Sequence, residues 1–201
     1  MGDGDVEGFS FRFALGDPLR IAIVDIELEL SPDDVEGGWG AARSGGCGMA
    51  CAAVYDSKGS RPYLYDRAGI HKLCEHLESA DCVLTWNGKS FDLPIIEAIA
   101  GRQLALKEHL DLLVAIAGGR MKGWGLGVTA ERTLGKAKSG DGAFAPTLFK
   151  EGRIADLHTY CLGDVYLTRD LYNRVVLEET VVGPEGKPVI VVLDGGHTEM
   201  I

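Results

Sequence analysis

The sequence predicts an α/β protein in which helices pack on a mixed β-sheet. The first observation is an apolar strand at residues 20–30, and the second is a pair of short strands at 49–55 and 61–65. The third is an alternation of helical and strand patterns, which ends in a long amphipathic helix at residues 153–179. Together they indicate one sheet covered by helices.

The strand at residues 20–30 is apolar on both faces in its first half, as central strands are. Side chains two positions apart share a face, so Asp25 and Glu27 lie on the side of Ile23. Carboxylates near a core are costly unless they pair or bind a metal ion. The rest of the chain is therefore expected to supply their partners.

The two short strands form a meander with the first, because a polar turn at residues 56–60 separates them. We expect these first three strands to be antiparallel. Residues 31–46 are rich in glycine and acidic side chains and predict a long loop.

Helix and strand patterns alternate in the middle of the chain. They predict helices at residues 66–80, 94–101 and 126–134, and strands at 82–86 and 109–116. A strand, a polar turn and a helix therefore follow one another directly around residue 90.

Carboxylates recur on the predicted inward side of these elements. Asp25 and Glu27 lie on the first strand, and Asp92 lies at a strand-to-helix junction. Asp164 belongs to the inward stripe of the last helix, with Tyr160 one turn earlier on the same face. If the first strand faces the last helix, these side chains converge.

Converging carboxylates without basic partners repel one another, and hard divalent cations with oxygen ligands relieve that repulsion. Phosphodiester cleavage uses such sites, where two metals about 4 Å apart activate water and stabilise the leaving oxygen. A tyrosine hydroxyl beside the site could orient the attacking water.

Three segments resemble the motifs of the DEDD superfamily of 3′-5′ exonucleases: Asp25-Ile26-Glu27, residues 87–94 and residues 160–164. The Tyr-x-x-x-Asp pattern of the third segment is similar to that of the tyrosine branch, called DEDDy. The resemblance extends from about residue 21 to 172. It looks strongest toward exonucleases related to the proofreading domains of family B DNA polymerases.

The resemblance implies an RNase H-like fold and a metal-dependent 3′-5′ exonuclease that releases nucleoside monophosphates from single-stranded or frayed ends, with DNA favoured over RNA. Asp25, Glu27, Asp92 and Asp164 would bind two divalent cations, Mg²⁺ or Mn²⁺. Tyr160 would orient the attacking water.

The resemblance also implies that Asn87 and Phe91 lie near the terminal nucleotide. The residue after the two strand carboxylates is often Thr or Ser in relatives, at a position that contacts that nucleotide, and is Leu28 here. Lys122 and Trp124, in a basic glycine-rich segment, could guide a single strand by phosphate contacts and stacking.

The net charge of −10 argues against a broad basic surface that binds nucleic acid by charge alone. Positive charge is nevertheless concentrated between residues 120 and 138, and bound cations would remove part of the negative excess. Charge therefore leaves the partner open.

We expect residues 1–201 to form one domain, with a core at about 18–179, a peripheral edge segment at 1–17, and a C-terminal hairpin and tail at 180–201. No run approaches the roughly 18 apolar residues of a membrane span, and the acidic N-terminus is unlike a signal peptide. We expect a cytoplasmic protein without a membrane partner.

Other interpretations of single residues stay open. Asp92 could be an ordinary helix cap, whereas Glu29 and Asp111 are expected to be solvated or paired rather than to bind metal. An odd number of cysteines without a Cys-x-x-Cys pattern favours reduced thiols. Irregular spacing disfavours a zinc site built from Cys47, Cys51, His71, Cys74 and His76.

Other functions also stay open. An RNA-specific exonuclease, or a binding module that keeps the fold without turnover, would share the same residues. A polymerase or helicase partner would have to act in trans, because the chain has no room for a polymerase.

Overall fold

The computed structural model describes residues 19–138 and 144–193. Five strands form its main sheet: β1 (Ile21–Glu27), β2 (Cys51–Asp56), β3 (Tyr63–Tyr65), β4 (Cys82–Thr85) and β5 (His109–Asp111). Their order across the sheet is β3-β2-β1-β4-β5. The first three strands are antiparallel neighbours, whereas β4 and β5 run parallel to β1. The predicted mixed sheet with an antiparallel meander is confirmed, and β1 lies at its centre.

Helices cover both faces of this sheet. The α-helices of the described residues are α1 (Gly38–Arg43), α2 (Ile70–Ser79), α3 (Asp92–Ala100), α4 (Leu112–Ala117), α5 (Leu126–Leu134), α6 (Ala145–Lys150) and α7 (Ile154–Glu178). Short 3₁₀ turns lie at Pro32–Asp34 and Arg67–Gly69, and a hairpin of β6 (Thr180–Val182) and β7 (Pro188–Ile190) follows α7. None of these helices is long and apolar enough to cross a bilayer.

The period-2 pattern of β1 divides the core into two layers. Ile21 and Ile23 pack in the layer that contains Leu157 and Leu171 of α7. The alternate residues, such as Val24, pack in the opposite layer with side chains of α2 and α3. Each fully buried aliphatic side chain contributes about 2 kcal/mol. Because Asp25 and Glu27 share the face of Ile23, they point toward α7.

The length of β4 exposes one end of β1. β4 pairs with β1 only over Ile21–Ile23, whereas β2 pairs with it as far as Glu27. Beyond Ile23, no described strand pairs with β1 on its β4 side. The carboxylates therefore lie at the open carboxyl end of a central strand, opposite the small side chains of Ala53 and Cys51 on β2.

Two sequence predictions are wrong in detail. Residues 31–46 contain a 3₁₀ turn and α1 rather than only a loop, since Ala42 is buried and α1 packs against α3. The strand predicted at 109–116 ends at Asp111, whose carboxylate accepts hydrogen bonds from the amides of Leu113 and Val114 and caps α4. An apolar run of this length cannot be assigned to a strand or a buried helix by periodicity alone.

The predicted edge segment at residues 1–17 and the tail at 194–201 lie outside the described residues. The hairpin at β6 and β7 lies where the sequence predicts one, and it turns between Val182 and Pro188. The single-domain organisation stays a prediction.

Candidate active site

Asp25 and Glu27 lie under α7 at the carboxyl end of β1. Glu27 is 7% exposed and Asp25 is partly buried. One carboxylate oxygen of each, together with Sγ of Cys161, lie within 4.8 Å of one another. A single cation could therefore contact both carboxylates at once.

Cys161 holds Asp25 from the α7 side. Its Sγ donates to the Asp25 carbonyl oxygen at 3.3 Å and lies 3.6 Å from Oδ2 of the same residue. Burial, with a contribution from neighbouring Cys51 and from Asp25, raises the pKa of the Cys161 thiol well above its ordinary value. The thiol stays protonated and acts as a hydrogen-bond donor rather than as a nucleophile.

Tyr160 and Asp164 approach the same place from α7, where both are buried. Asp164 Oδ2 lies 2.5 Å from Nζ of Lys138, which also lies 4.8 Å from the centre of the Tyr160 ring. Asp164 Oδ1 is buried with no hydrogen-bond partner among the described residues. The Tyr160 hydroxyl is also buried, and the Lys138 ammonium lies close enough to lower its pKa. An unpartnered buried polar group costs about 1–3 kcal/mol, and a bound ion or water removes that cost.

Asp92 joins the site from the opposite side of β1. It is the first residue of α3, and its Oδ1 accepts a hydrogen bond of 3.0 Å from the Ile26 amide. That amide lies beyond the last β1 residue that pairs with β4, so Asp92 replaces the missing strand partner. Phe91, not Asp92, occupies the N-cap position of α3. Asp92 is therefore not the N-cap residue, although its carboxylate lies in the first turn of the helix.

The charges of this site do not balance. Burial raises the pKa of Asp25 and of Glu27 well above their ordinary values, and the Asp164 carboxylate adds to both shifts. Burial raises the pKa of Asp92 to about 7, against the hydrogen bond from Ile26. Burial also raises the pKa of Asp164, and the opposing effect of Lys138 does not overcome it. Within the part of the chain that the structure describes, one ammonium thus faces several carboxylates, a deficit of positive charge that a divalent cation would fill.

A cleft of about 570 Å³ opens onto these acids, and its lining includes Asp25, Asp164, Lys138 and residues of α5. Asn87 lines it from the β4–α3 turn, where its φ of 65° places it in the left-handed region. The Asp111 carboxylate accepts hydrogen bonds from the amides of Asn87 (2.9 Å) and Lys89 (3.0 Å). Asp111 therefore shapes this turn, in agreement with its expected role as a paired residue.

Gly88 explains why this turn admits no side chain at its centre. A Cβ atom added there would lie 2.5 Å from the side chain of Thr85. The close approach of the turn to the end of β4 places Asn87 at the mouth of the cleft.

The other predicted substrate residues are not among those that line this cleft. Leu28 is 6% exposed and packs in the layer opposite α7, and the ring of Phe91 lies 5.8 Å from that of Trp39. Lys122 is exposed and Trp124 is buried, and both line a second cleft. Direct contacts of these four residues with a nucleotide stay predictions.

The remaining candidates have structural partners. Glu29 pairs with Arg67 at 3.3 Å, as expected for a residue that is not a metal ligand. Cys51 packs in the layer of α7, whereas Cys47 and Cys74 pack in the opposite layer. Within residues 19–138 and 144–193, the cysteine and histidine set does not form a zinc site.

Two members of the site are not identifiable from the sequence motifs. Lys138 belongs to the basic segment, and nothing local distinguishes it from the other lysines there. Cys161 follows Tyr160 within the third motif, but its pattern indicates only a core residue. Its place on the inward stripe of α7 is the available signal.

Comparisons with known proteins found a matching family model and a solved structure with a similar fold. A model of the RNase H superfamily matches residues 47–176, a range that includes Asp92, Tyr160 and Asp164 but begins after β1. The fold is similar to that of a family B DNA polymerase from the hyperthermophilic archaeon Pyrobaculum calidifontis, with a TM-score of 0.61 and 17% sequence identity. No curated protein matched the sequence.

The similarity to the polymerase covers 82% of this chain and 25% of the polymerase chain, so this chain spans about a quarter of that protein's length. At 17% identity the likeness concerns the fold alone. With the family match, it confirms the RNase H-like fold that the three sequence motifs predict.

Proposed function

The chain belongs to the RNase H superfamily, and from this premise we propose that it is a metal-dependent 3′-5′ exonuclease of the tyrosine branch. The observation that carries the proposal is that Asp25 and Glu27 lie close enough to share one cation, while the nearby Asp164 carboxylate of α7 raises the pKa of both. Among the described residues, Lys138 is the ammonium that pairs with these acids. A site built only for stability would have matched its charges.

The residues present fit divalent cations. Their donor atoms are carboxylate oxygens, which suit Mg²⁺ and Mn²⁺, and Asp164 Oδ1 is buried and unpartnered among the described residues. We assign Asp25, Glu27 and Asp164 to one cation and Asp92 to a second. Divalent cations lower the pKa of water and neutralise the charge of a phosphodiester, which is the chemistry that the hydrolysis needs.

The protein's own groups position the reactants. Burial raises the pKa of the Tyr160 hydroxyl by more than the nearby Lys138 lowers it, so the hydroxyl stays protonated and can orient a water molecule. Cys161 fixes the orientation of Asp25. Asn87 lines the same cleft as Asp164, and we assign it to contact with the terminal nucleotide.

Lys138 balances part of the charge when no cation is bound. Burial lowers the pKa of its ammonium, but the pair with Asp164 raises that pKa by more, so Lys138 stays charged. A cation bound by Asp164 would compete directly with Lys138 for the same carboxylate. The affinity for metal therefore depends on how readily the Lys138 ammonium separates from the Asp164 carboxylate.

The polarity of digestion and the preference for DNA rest on the resemblance of the three motifs. An RNA-specific enzyme is the second candidate, since a protein senses the 2′-hydroxyl only by a local contact. A proofreading role would also need a polymerase or helicase partner.

A 5′-labelled single-stranded oligonucleotide, supplied as DNA and as RNA with Mg²⁺ or Mn²⁺, tests the activity. Wild type should produce a ladder that shortens from the 3′ end. Asp25→Asn and Asp164→Asn should slow it at least about 1000-fold, or about 4 kcal/mol of lost transition-state stabilisation. Asp156→Asn, an exposed carboxylate on the same helix, is the matched control and should cleave normally.

A ladder that persists in both site variants, or that never forms on any substrate, would contradict the proposal. Calorimetry with Mn²⁺ then separates the enzyme from a binding module without turnover. The enzyme should bind Mn²⁺ and lose that binding in Asp25→Asn, whereas the module should show no binding that depends on Asp25.

A further inference from the structure

A second cleft lies directly beside the acidic site. It has a volume of about 780 Å³ and lies between the loop at residues 120–124 and the turn of the β6–β7 hairpin. Met121 lines both this hairpin cleft and the cleft of the acids, so the two adjoin along one side chain. A chain that leaves the acidic site past Met121 enters the hairpin cleft.

Arg132 of α5 connects the two walls of the hairpin cleft. Its guanidinium donates to the carbonyl oxygens of Gly123 (2.6 Å) and Val182 (3.3 Å) and lies 5.8 Å from the centre of the Trp124 ring. The Val182 amide donates to Thr133 Oγ1 at 3.0 Å. These bonds join the loop to the hairpin, so the two walls are held at a set separation.

The contact between loop and hairpin is too close for added side chains. Gly123 has a φ of 80°, and a Cβ atom there would lie 3.0 Å from the Pro184 ring. A Cβ on Gly183 would lie 3.4 Å from the Trp124 ring, which is buried. Trp124 therefore forms the floor and supports the hairpin.

The walls of the hairpin cleft are positively charged. Arg120 and Lys122 line it from the loop, and Lys187 lines it from the hairpin. Glu185 is the acid among the lining residues, and its pair with Lys187 at 3.3 Å is 79% exposed on both sides, so it is weak. A local excess of cations is notable in a chain of net charge −10.

We propose that the hairpin cleft binds the phosphates of a single-stranded nucleic acid on the 5′ side of the nucleotide held at the acids. A polyanion can approach several carboxylates only if nearby cations hold it, and single-strand grooves combine such cations with an apolar floor. The inference rests on the proposed function. It adds a wall supplied by a hairpin that lies beyond the residues matched by the family model.

The first experiment measures binding without cleavage. Fluorescence anisotropy of a labelled 20-nucleotide single-stranded DNA is measured at increasing NaCl concentrations. Three proteins are compared: the Asp25→Asn variant, the same variant with Lys187→Glu added, and the same variant with both Arg120→Glu and Lys122→Glu added. Each charge reversal should weaken binding at least 5-fold and reduce the slope of log K against log salt by about 0.7 for each phosphate that the protein no longer neutralises. Lys72→Glu is the matched control, because Lys72 is an exposed residue of α2, which packs on the opposite face of the sheet.

The second experiment uses the active protein and compares a 20-nucleotide substrate with a dinucleotide. The ratio of kcat/KM for the long substrate over the short one should fall at least 5-fold in Lys187→Glu and stay constant in Lys72→Glu. A dinucleotide is too short to occupy both clefts. Because Lys187 is a surface residue, circular dichroism should show wild-type folding.

The outcomes separate the two hypotheses. Cleavage by wild type with unchanged binding and an unchanged ratio in the hairpin variants would overturn the cleft assignment alone. Binding that depends on Lys187 without any cleavage would overturn the exonuclease and keep the cleft. Equal competition by poly-glutamate of matched charge would overturn nucleic acid as the occupant and indicate an acidic protein partner.

Discussion

Acidic side chains lie at both ends of the β1–β2 pair, Asp56 at one end and Asp25 with Glu27 at the other, and their surroundings differ. At one end, Asp56 accepts hydrogen bonds from Arg20 (2.7 and 2.9 Å) and from Nε2 of His76 (2.8 Å). Burial alone would raise the pKa of Asp56, but these bonds outweigh it and lower the pKa. At the other end, burial and mutual repulsion raise the pKa values of Asp25 and Glu27.

The difference teaches how to separate a structural acid from a functional one. The solvent exposure of Asp56 is as low as that of Glu27, so low exposure by itself does not identify a site. Asp56 has a partner for its charge and joins the start of β1 to α2, whereas the acids under α7 share Lys138. Uncompensated charge inside a protein is retained where a ligand completes it.

The largest effect is expected from a substitution at Asp56, whose charge has partners. Asp56→Asn leaves Arg20 and His76 without their anion and should lower the free energy of unfolding by about 3 kcal/mol, the lower end for a broken buried pair because Arg20 is partly exposed. The melting temperature should fall by about 6–12 °C for a chain of this size. Urea denaturation at pH 7 measures it, with exposed Asp33→Asn as the control. A loss no larger than that of Asp33→Asn would mean that the Asp56 cluster does not hold the strands together.

The next largest effect is expected from a cation that binds the carboxylates under α7. Mn²⁺ at about 100 times its dissociation constant should stabilise wild type by about 2.7 kcal/mol, because only the folded chain brings the acids together. The same addition should leave the melting temperature of Asp25→Asn nearly unchanged but still raise that of Asp56→Asn. Thermal denaturation with and without Mn²⁺ checks this, and an unresponsive wild type would argue against a preformed metal site.

The smallest effect is a pH dependence of the metal-free protein. The pKa of Asp92 is about 7 in the folded chain against 3.8 for an ordinary aspartate, so the folded state holds the proton more tightly and loses stability as pH rises between these values. Asp56 has a lowered pKa, so its contribution is complete above about pH 4. In EDTA, the free energy of unfolding should fall by about 1 kcal/mol or more from pH 5 to 8.

Mn²⁺ should flatten this pH dependence, since it supplies the missing positive charge. Asp92→Asn should reduce it without metal but not abolish it, because the pKa values of Asp25, Glu27 and Asp164 are also raised. A profile in EDTA that rises with pH over the same range would show that the acids are compensated after all.

Most of the fold could be predicted from the sequence because it depends on periodicity. The apolar start of β1 indicates a central strand, and the period of two places Asp25 and Glu27 on one face of it. The period of α7 places Tyr160 and Asp164 together on its inward side, where both are buried. The three motifs then predict the RNase H-like fold, which the comparisons confirm.

Details that depend on packing could not be predicted. α1 is a six-residue helix with poor intrinsic propensity, and its contact with α3 stabilises it. β5 ends where Asp111 turns from the strand to cap α4 and to hold the Asn87 turn. In both places a tertiary contact outweighs the local pattern.

The sequence by itself determined which face each carboxylate occupies, because that follows from the repeat of a strand or a helix. Only the tertiary structure decided which partners meet them there. Lys138 lies 26 positions before Asp164 and reaches it across the fold, and the hairpin reaches the loop at Trp124 in the same way. Periodicity specifies direction, whereas the balance of charge in a site depends on distances that the packed chain alone sets.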